Sequence, residues 1–367
     1  MQLATTRNNA DTSKQSCANR ASALPESRNQ DRVKRNKRSD IYSLKRRHDA
    51  PEEPRASSAA VSCAAPPLEP SVNQITTGRE DFIGCWNEIL TPKWIRFRDL
   101  LSGNGKVHSD LAMPRFGIRA GDRVLDFGCG FGETSLELGR LVGPSGEVLG
   151  LDCASAFIEI ANRERDEAGL LHVRYEIGDA QQHLLSENYY DVAFARFGVM
   201  FFESSVRALR NVGRALRPGG KLCLIAWRGL ADNPAWVAAK TVVREYLPAP
   251  SSSAPSCGPG PFSWADEQAD RDMLAAAGFT RVELFERSDV DICVGRTVEE
   301  AIDYQILVGP SGEIVRLAGA EGQRRMPEIR ARLAELFREH LREDGVFLPS
   351  SSWLISATHM KESHRVD

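Results

Sequence analysis

An α/β fold with a doubly wound sheet is what this 367-residue chain predicts, and three observations predict it. Short apolar runs of strand length alternate with helical patterns from about residue 121 onward. The first run, Val124-Leu125-Asp126-Phe127, enters a glycine-rich turn, Gly128-Cys129-Gly130-Phe131-Gly132, with a helix beginning near Glu133. The early strands deliver acidic residues, Asp126, Asp152 and Asp179, and such sheets bind ligands beyond the carboxyl ends of their strands.

The elements follow in order. Residues 1–75 show no sustained apolar period and carry 13 Lys/Arg against 8 Asp/Glu, whereas the remainder carries 34 against 42. A segment of this kind cannot bury enough surface to offset its ordering entropy, which predicts a disordered basic tail. Its runs Arg32–Arg38 and Lys45-Arg46-Arg47 have the charge to touch nucleic acid or to act as an organelle-targeting sequence; a solvated tail is the simpler reading. Over 76–120, Phe82, Trp86, Ile89, Leu90, Trp94, Phe97 and Leu101 recur at roughly helical spacing, interrupted by Pro92, which predicts a leading helical segment. The main domain is expected over 121–367. Strands are predicted at 123–127, 147–151, 172–177, 191–195, 221–227, 280–287 and 352–358. Helices are predicted at 133–142 (ended by Gly143-Pro144), 155–168 (ended by Gly169), around Val206–Leu216, at 265–277, and at 297–308 and 326–342. Arg217-Pro218-Gly219-Gly220 reads as a turn. The last two helices form an insertion over about 295–345, equally suited to outer packing or to a lid.

Composition narrows the function. A net charge of −3 demands no polyanionic partner. The eight cysteines are scattered without a C-x-x-C pair, which argues against a zinc site or disulfide framework and fits a reducing compartment. No apolar run approaches a membrane span, and the N-terminus lacks the core of a signal peptide. A cytoplasmic location is expected.

The chemistry rests on the strand ends. Glycines at 128, 130 and 132 let backbone N–H groups approach a ligand where a Cβ would clash. The spacing is G-x-G-x-G, not the G-x-G-x-x-G of dinucleotide binders, which disfavours a nicotinamide dehydrogenase. Asp152, twenty residues beyond Gly132, can accept hydrogen bonds from both ribose hydroxyls; Gly178-Asp179-Ala180 places a carboxylate near an exocyclic amine. Ala195-Arg196-Phe197 ends the fourth strand.

This order, with Arg-Pro-Gly-Gly before the fifth strand, resembles the class I S-adenosylmethionine-dependent methyltransferases over about residues 82–360. The stretch Phe194–Phe202 is similar to the type 11 domain of the ubiquinone/menaquinone C-methyltransferase branch. The resemblance implies a Rossmann-like seven-stranded sheet of order 3-2-1-4-5-7-6 with an antiparallel last strand. It implies S-adenosylmethionine as cofactor, with Asp126 orienting the glycine loop and the methionine amino end. Asp152 would hold the ribose, Asp179 and Ala180 the adenine, and Arg196 and Phe197 would line the site below the sulfonium. Trp86 or Trp94 would cap the methionine end. Cys129 and Cys153 are expected at the site as lining and not as nucleophiles. Met200, Phe201 and Trp227 are substrate-pocket candidates, and Phe201 and Phe202 would serve equally well as core. His108, His172 and His183 are candidate bases, with packing or surface roles as the simpler reading. No catalytic residue is assigned and no metal is expected.

The chain lacks the Asn/Asp-Pro-Pro-Tyr-like motif of many nucleic-acid and amide N-methylators after strand four. The expected reaction is methyl transfer to carbon or oxygen of a small, partly apolar molecule. The alternative is a cofactor-binding, non-catalytic protein acting through its basic tail, possibly on nucleic acid. Oligomeric state is left open.

Overall fold

The structure, a computed structural model, describes residues 79–250 and 258–359; the tail expected over 1–75 lies outside these residues. The leading segment is helical. Helix α1 (Arg79–Cys85) passes through one π turn (Trp86–Leu90) into α2 (Thr91–Arg96), followed by α3 (Arg98–Phe116). Pro92 interrupts nothing, because it falls in the first turn of α2, where a missing N–H leaves no hydrogen bond unmade.

The doubly wound part follows as β1 (Arg123–Phe127), α4 (Glu133–Val142), β2 (Glu147–Asp152), α5 (Ser155–Ala168), β3 (Val173–Ile177), β4 (Tyr190–Arg196), α6 (Ser205–Ala215) and β5 (Leu216–Trp227). The chain continues through α7 (Pro234–Tyr246), α8 (Glu267–Ala276), β6 (Arg281–Gly295), α9 (Val298–Leu307), α10 (Pro310–Ala318), α11 (Ala320–Glu339), the stub β7 (Leu341–Arg342) and β8 (Gly345–Thr358). The sheet order is β3-β2-β1-β4-β5-β8-β6, with β7 paired only to β8. With β8 taken as the seventh main strand, this is the 3-2-1-4-5-7-6 order that the resemblance implies. Strands β1 to β5 are parallel, and β8 runs antiparallel to both β5 and β6.

Period-two alternation sorts the strand residues between two apolar layers. Leu125, Phe127, Leu149, Leu151, Ala193 and Ala195 pack with α6 and α7 residues. Val124, Val148, Val192 and Phe194 pack on the other face with α3 and α4 residues. Because β1 lies between β2 and β4, the connections leaving β1 and β4 diverge, which opens a crevice at their carboxyl ends.

Four expectations change. Arg217-Pro218-Gly219-Gly220 does not precede β5 but loops out within it. Tyr190 pairs with Leu216 and Val192 with Lys221, and Gly219 takes φ 77°. Strand β6 extends eight residues beyond the expected 287, because polar Ser288-Asp289-Val290-Asp291 pairs with the early part of β8. Helices α7 and α10 were not expected, and α11 begins six residues early with Pro327 inside it. Among the described cysteines, Cys129, Cys153, Cys223 and Cys293 are free, whereas Cys85 departs from expectation and is disulfide-bonded.

Candidate active site

The glycine loop after β1 uses its three glycines for three different reasons. All have positive φ, at 73°, 55° and 84° for Gly128, Gly130 and Gly132. A Cβ on Gly128 would stand 3.0 Å from Cα of Gly198, so this glycine lets the loop after β4 come close. A Cβ on Gly132 would meet the Tyr175 hydroxyl at 2.5 Å, and that hydroxyl donates to the Gly132 carbonyl (3.1 Å). Only the Gly130 side faces open space, and its N–H donates to Oδ2 of Asp152 (2.8 Å).

Asp126 stands beneath this loop, fully buried. The Thr134 and Ser135 hydroxyls both donate to its Oδ2 (2.7 and 2.6 Å), and Oδ1 has no partner. Burial raises its pKa to about 6, opposed by those two hydrogen bonds. Asp152 ends β2 with its other oxygen, Oδ1, accepting from the Ala154 N–H (2.9 Å); burial raises its pKa as well. Beyond β3, Asp179 accepts from both the N–H and the side-chain amide of Gln181 (2.9 and 3.1 Å).

Strand β4 ends with Arg196, whose guanidinium lies in a notch on α3. A Cβ on Gly105 would stand 2.6 Å from its Cζ. It donates to Ser109 (3.1 Å) and pairs with Glu133 at 3.6 Å. Phe197 follows at φ 54°, a left-handed conformation that costs a side-chain-bearing residue energy. Its ring stacks on Trp227 at 3.9 Å between centroids.

These groups border one cavity of about 300 Å³. Gly128, Cys129, Gly130, Asp152, Cys153, Asp179, Ala180, Arg196 and Phe197 line it, as do Phe201 and Trp227. Asp126, Gly132 and Met200 do not border it. Met200 is fully buried, and its sulfur receives the Trp227 N–H (3.1 Å), so it belongs to the core and not to a pocket wall. Burial pushes the Cys129 and Cys153 thiols up, away from nucleophilic thiolate chemistry. Neither His108, His172 nor His183 borders the cavity. His108 is buried between Ser352 and Ser350 (2.9 and 3.1 Å), with its pKa pushed down to about 3 by burial. His172 meets the Gly139 carbonyl, and His183 meets Glu176. No cluster of side chains suited to a metal ion occurs among the described residues.

The leading helices contribute Trp86 and Trp94, which pack edge-on against each other and against Phe201. Helices α3, α7 and α9 add Asn104, Trp236 and Tyr304 to the lining, three residues that sequence reading missed. No motif marks them; they adjoin the crevice only because the helices fold over it. The cradle fits an adenosyl group, since open space lies where a Gly130 side chain would stand and the Asp152 carboxylate borders the same cavity.

A family model described as a methyltransferase domain matches residues 124–220, the span from β1 into β5. The ubiquinone/menaquinone biosynthesis C-methyltransferase of Azotobacter vinelandii is 28% identical over 202 residues, 53% of this chain and 80% of that protein. The demethylmenaquinone methyltransferase of Staphylococcus aureus is 31% identical over 137 residues, 37% of this chain and 56% of that protein. These matches mark a methyltransferase domain in the chain and support an S-adenosylmethionine-dependent enzyme. It spans about half the length of the staphylococcal relative. A solved structure of a putative methyltransferase from Bacillus halodurans is 18% identical, with a TM-score of 0.47 over 69% of this chain and 98% of that chain. No helix among the described residues is long and apolar enough to cross a membrane.

Proposed function

We propose that this methyltransferase modifies a small, partly apolar molecule at carbon or oxygen. The observation that carries the reading is the aromatic share of the cavity lining, to which Trp86, Trp94, Phe201, Trp227, Trp236 and Tyr304 contribute. Such a wall suits an apolar body better than a polyanion or a peptide amide. The names of the relatives, which refer to C-methylation and to menaquinone, support a carbon acceptor. A cytoplasmic location and a small-molecule partner in place of nucleic acid belong to the same reading.

S-adenosylmethionine, when bound, supplies an electrophilic methyl group on a sulfonium centre. Asp152 holds the ribose hydroxyls in this reading, while Asp179 and the Ala180 backbone meet the adenine. Gly130 allows the backbone close approach, Gly128 lets the loop after β4 close the same site, and Cys129 and Cys153 fill space beside it. Asp126 acts from below the loop, fixing Thr134 and Ser135 at the start of α4. Arg196 and Phe197 form the floor beneath the reacting centre. The aromatic wall excludes water and aligns the acceptor, and such positioning is worth roughly 7–11 kcal/mol of barrier in well-oriented systems. A general base is needed only for an acceptor that arrives protonated and poorly acidic.

The test is a methyl-transfer screen with isotopically labelled S-adenosylmethionine against a metabolite extract fractionated by polarity, with products identified by mass. Label entering small, moderately apolar compounds is expected. Label confined to nucleic acid or protein would overturn the proposal.

A further inference from the structure

Buried polar atoms normally find partners, and those that do not call for an explanation. Three such atoms belong to residues that line the cavity on its helical side: Asn104 Nδ2 on α3, Trp236 Nε1 on α7 and the Tyr304 hydroxyl on α9. Each residue is more than nine-tenths buried, at 5%, 7% and 0% exposure. The Trp236 and Tyr304 rings lie 5.6 Å apart, and Phe97 packs edge-on against Tyr304 at 5.5 Å. The Asn104 side chain lies within weak hydrogen-bonding reach of the Tyr304 hydroxyl, though not at full bonding distance; burial raises the phenol's pKa and that contact opposes it. Gln305 and Ser311, just behind on α9 and α10, also carry unpartnered buried atoms, so the polar character extends through this corner.

All three groups are neutral and can donate a hydrogen bond, and Tyr304 can also accept one. Aromatic rings surround them, and desolvating a charge in such a place is expensive. We propose that Asn104, Trp236 and Tyr304 form a hydrogen-bonding subsite that reads one uncharged oxygen, a hydroxyl or carbonyl, on a flat apolar acceptor. The subsite deepens the function proposed above and rests on it. It makes these residues determinants of specificity and of acceptor orientation, separate from the groups assigned to the methyl donor.

The test compares naphthalene with 2-naphthol, binding to the full chain saturated with S-adenosylhomocysteine and followed by titration calorimetry. The two probes share a flat body, and 2-naphthol is the less hydrophobic, so tighter binding of it reports the oxygen. An advantage of about tenfold for 2-naphthol is expected, the size of one or two neutral hydrogen bonds. Tyr304→Phe and Asn104→Leu should each bring the two affinities toward equality while S-adenosylhomocysteine binds as before. Equal affinities in the unmodified chain, a measurement independent of whether any variant folds, would overturn the subsite and leave the apolar-acceptor reading standing. An advantage that survives both substitutions would do the same. If neither probe binds, the apolar-acceptor reading itself falls, and the subsite with it.

Discussion

Asp126 is a fully buried carboxylate and Asp152 a half-buried one, and they predict different experiments. Asp152 borders the cavity, and Asp152→Ala should weaken S-adenosylhomocysteine binding by roughly 2–4 kcal/mol, since hydrogen bonds to charged groups contribute about 1.5–3 kcal/mol each. Calorimetry checks this, and unchanged affinity would remove Asp152 from the ribose. Asp126 does not border the cavity, and its effect is read through pH. Its folded pKa of about 6 lies above the ordinary 3.8, so the native state binds the proton first. Stability therefore rises as pH falls through 6 toward 4 and is lost again as pH climbs. Asp126→Asn removes that dependence. The stability of the variant relative to the parent should drop by about 1 kcal/mol between pH 7 and pH 5, measured by denaturant unfolding at each pH. A difference independent of pH would mean that Asp126 titrates elsewhere. At this scale what the sequence reached is a shared location: Asp152, Asp179, Arg196 and Phe197 were expected together at or just beyond strand ends, and all four border one cavity. Met200 was misplaced, because alternation after β4 does not distinguish a wall from the core beneath it.

At the scale of elements, α3 explains both a prediction and a blind spot. Its buried face includes Asn104, Gly105, His108 and Ser109, small or polar residues that give no apolar period to detect. Such a face reads as solvent-exposed in sequence, although it covers the crevice. Gly103 and Gly105 separate helix propensity from packing. A side chain on Gly103 meets nothing within 4 Å, whereas one on Gly105 would collide with the Arg196 guanidinium. Gly103→Ala should stabilise the protein by about 0.5–1 kcal/mol. Gly105→Ala should gain less or lose stability, because Arg196 is pinned by Ser109 and Glu133. Equal gains in chemical denaturation would mean that Arg196 moves freely. Strands β1, β2, β4 and the second half of β5 were legible because burial on both faces makes them nearly continuous apolar runs, whereas β3, largely exposed, showed only the alternation of Val173, Tyr175 and Ile177. Strand β6 was seen only in its first half, because the remainder carries Ser288, Asp289 and Asp291, whose place in the sheet comes from pairing with β8. Helix α10 escaped notice for the opposite reason, as a nine-residue element among other apolar segments with only Pro310 to announce it.

For the whole molecule, the sheet order and the crevice at β1 and β4 make cofactor binding a property of the native fold. A ligand that binds only the native state stabilises it by about 2.7 kcal/mol at a hundred times its dissociation constant. S-adenosylhomocysteine should therefore raise the melting temperature by several degrees and NAD should not; the reverse, in a thermal-shift comparison, would contradict the identity of the cofactor. The cavity also has an optical consequence. Of the six tryptophans in the chain, Trp86, Trp94, Trp227 and Trp236 border the cavity, while Trp264 and Trp353 lie elsewhere. Most of the intrinsic fluorophores thus look onto the place where ligands arrive. The protein carries its own reporter, and occupancy by a colourless ligand should be visible in its emission without any label.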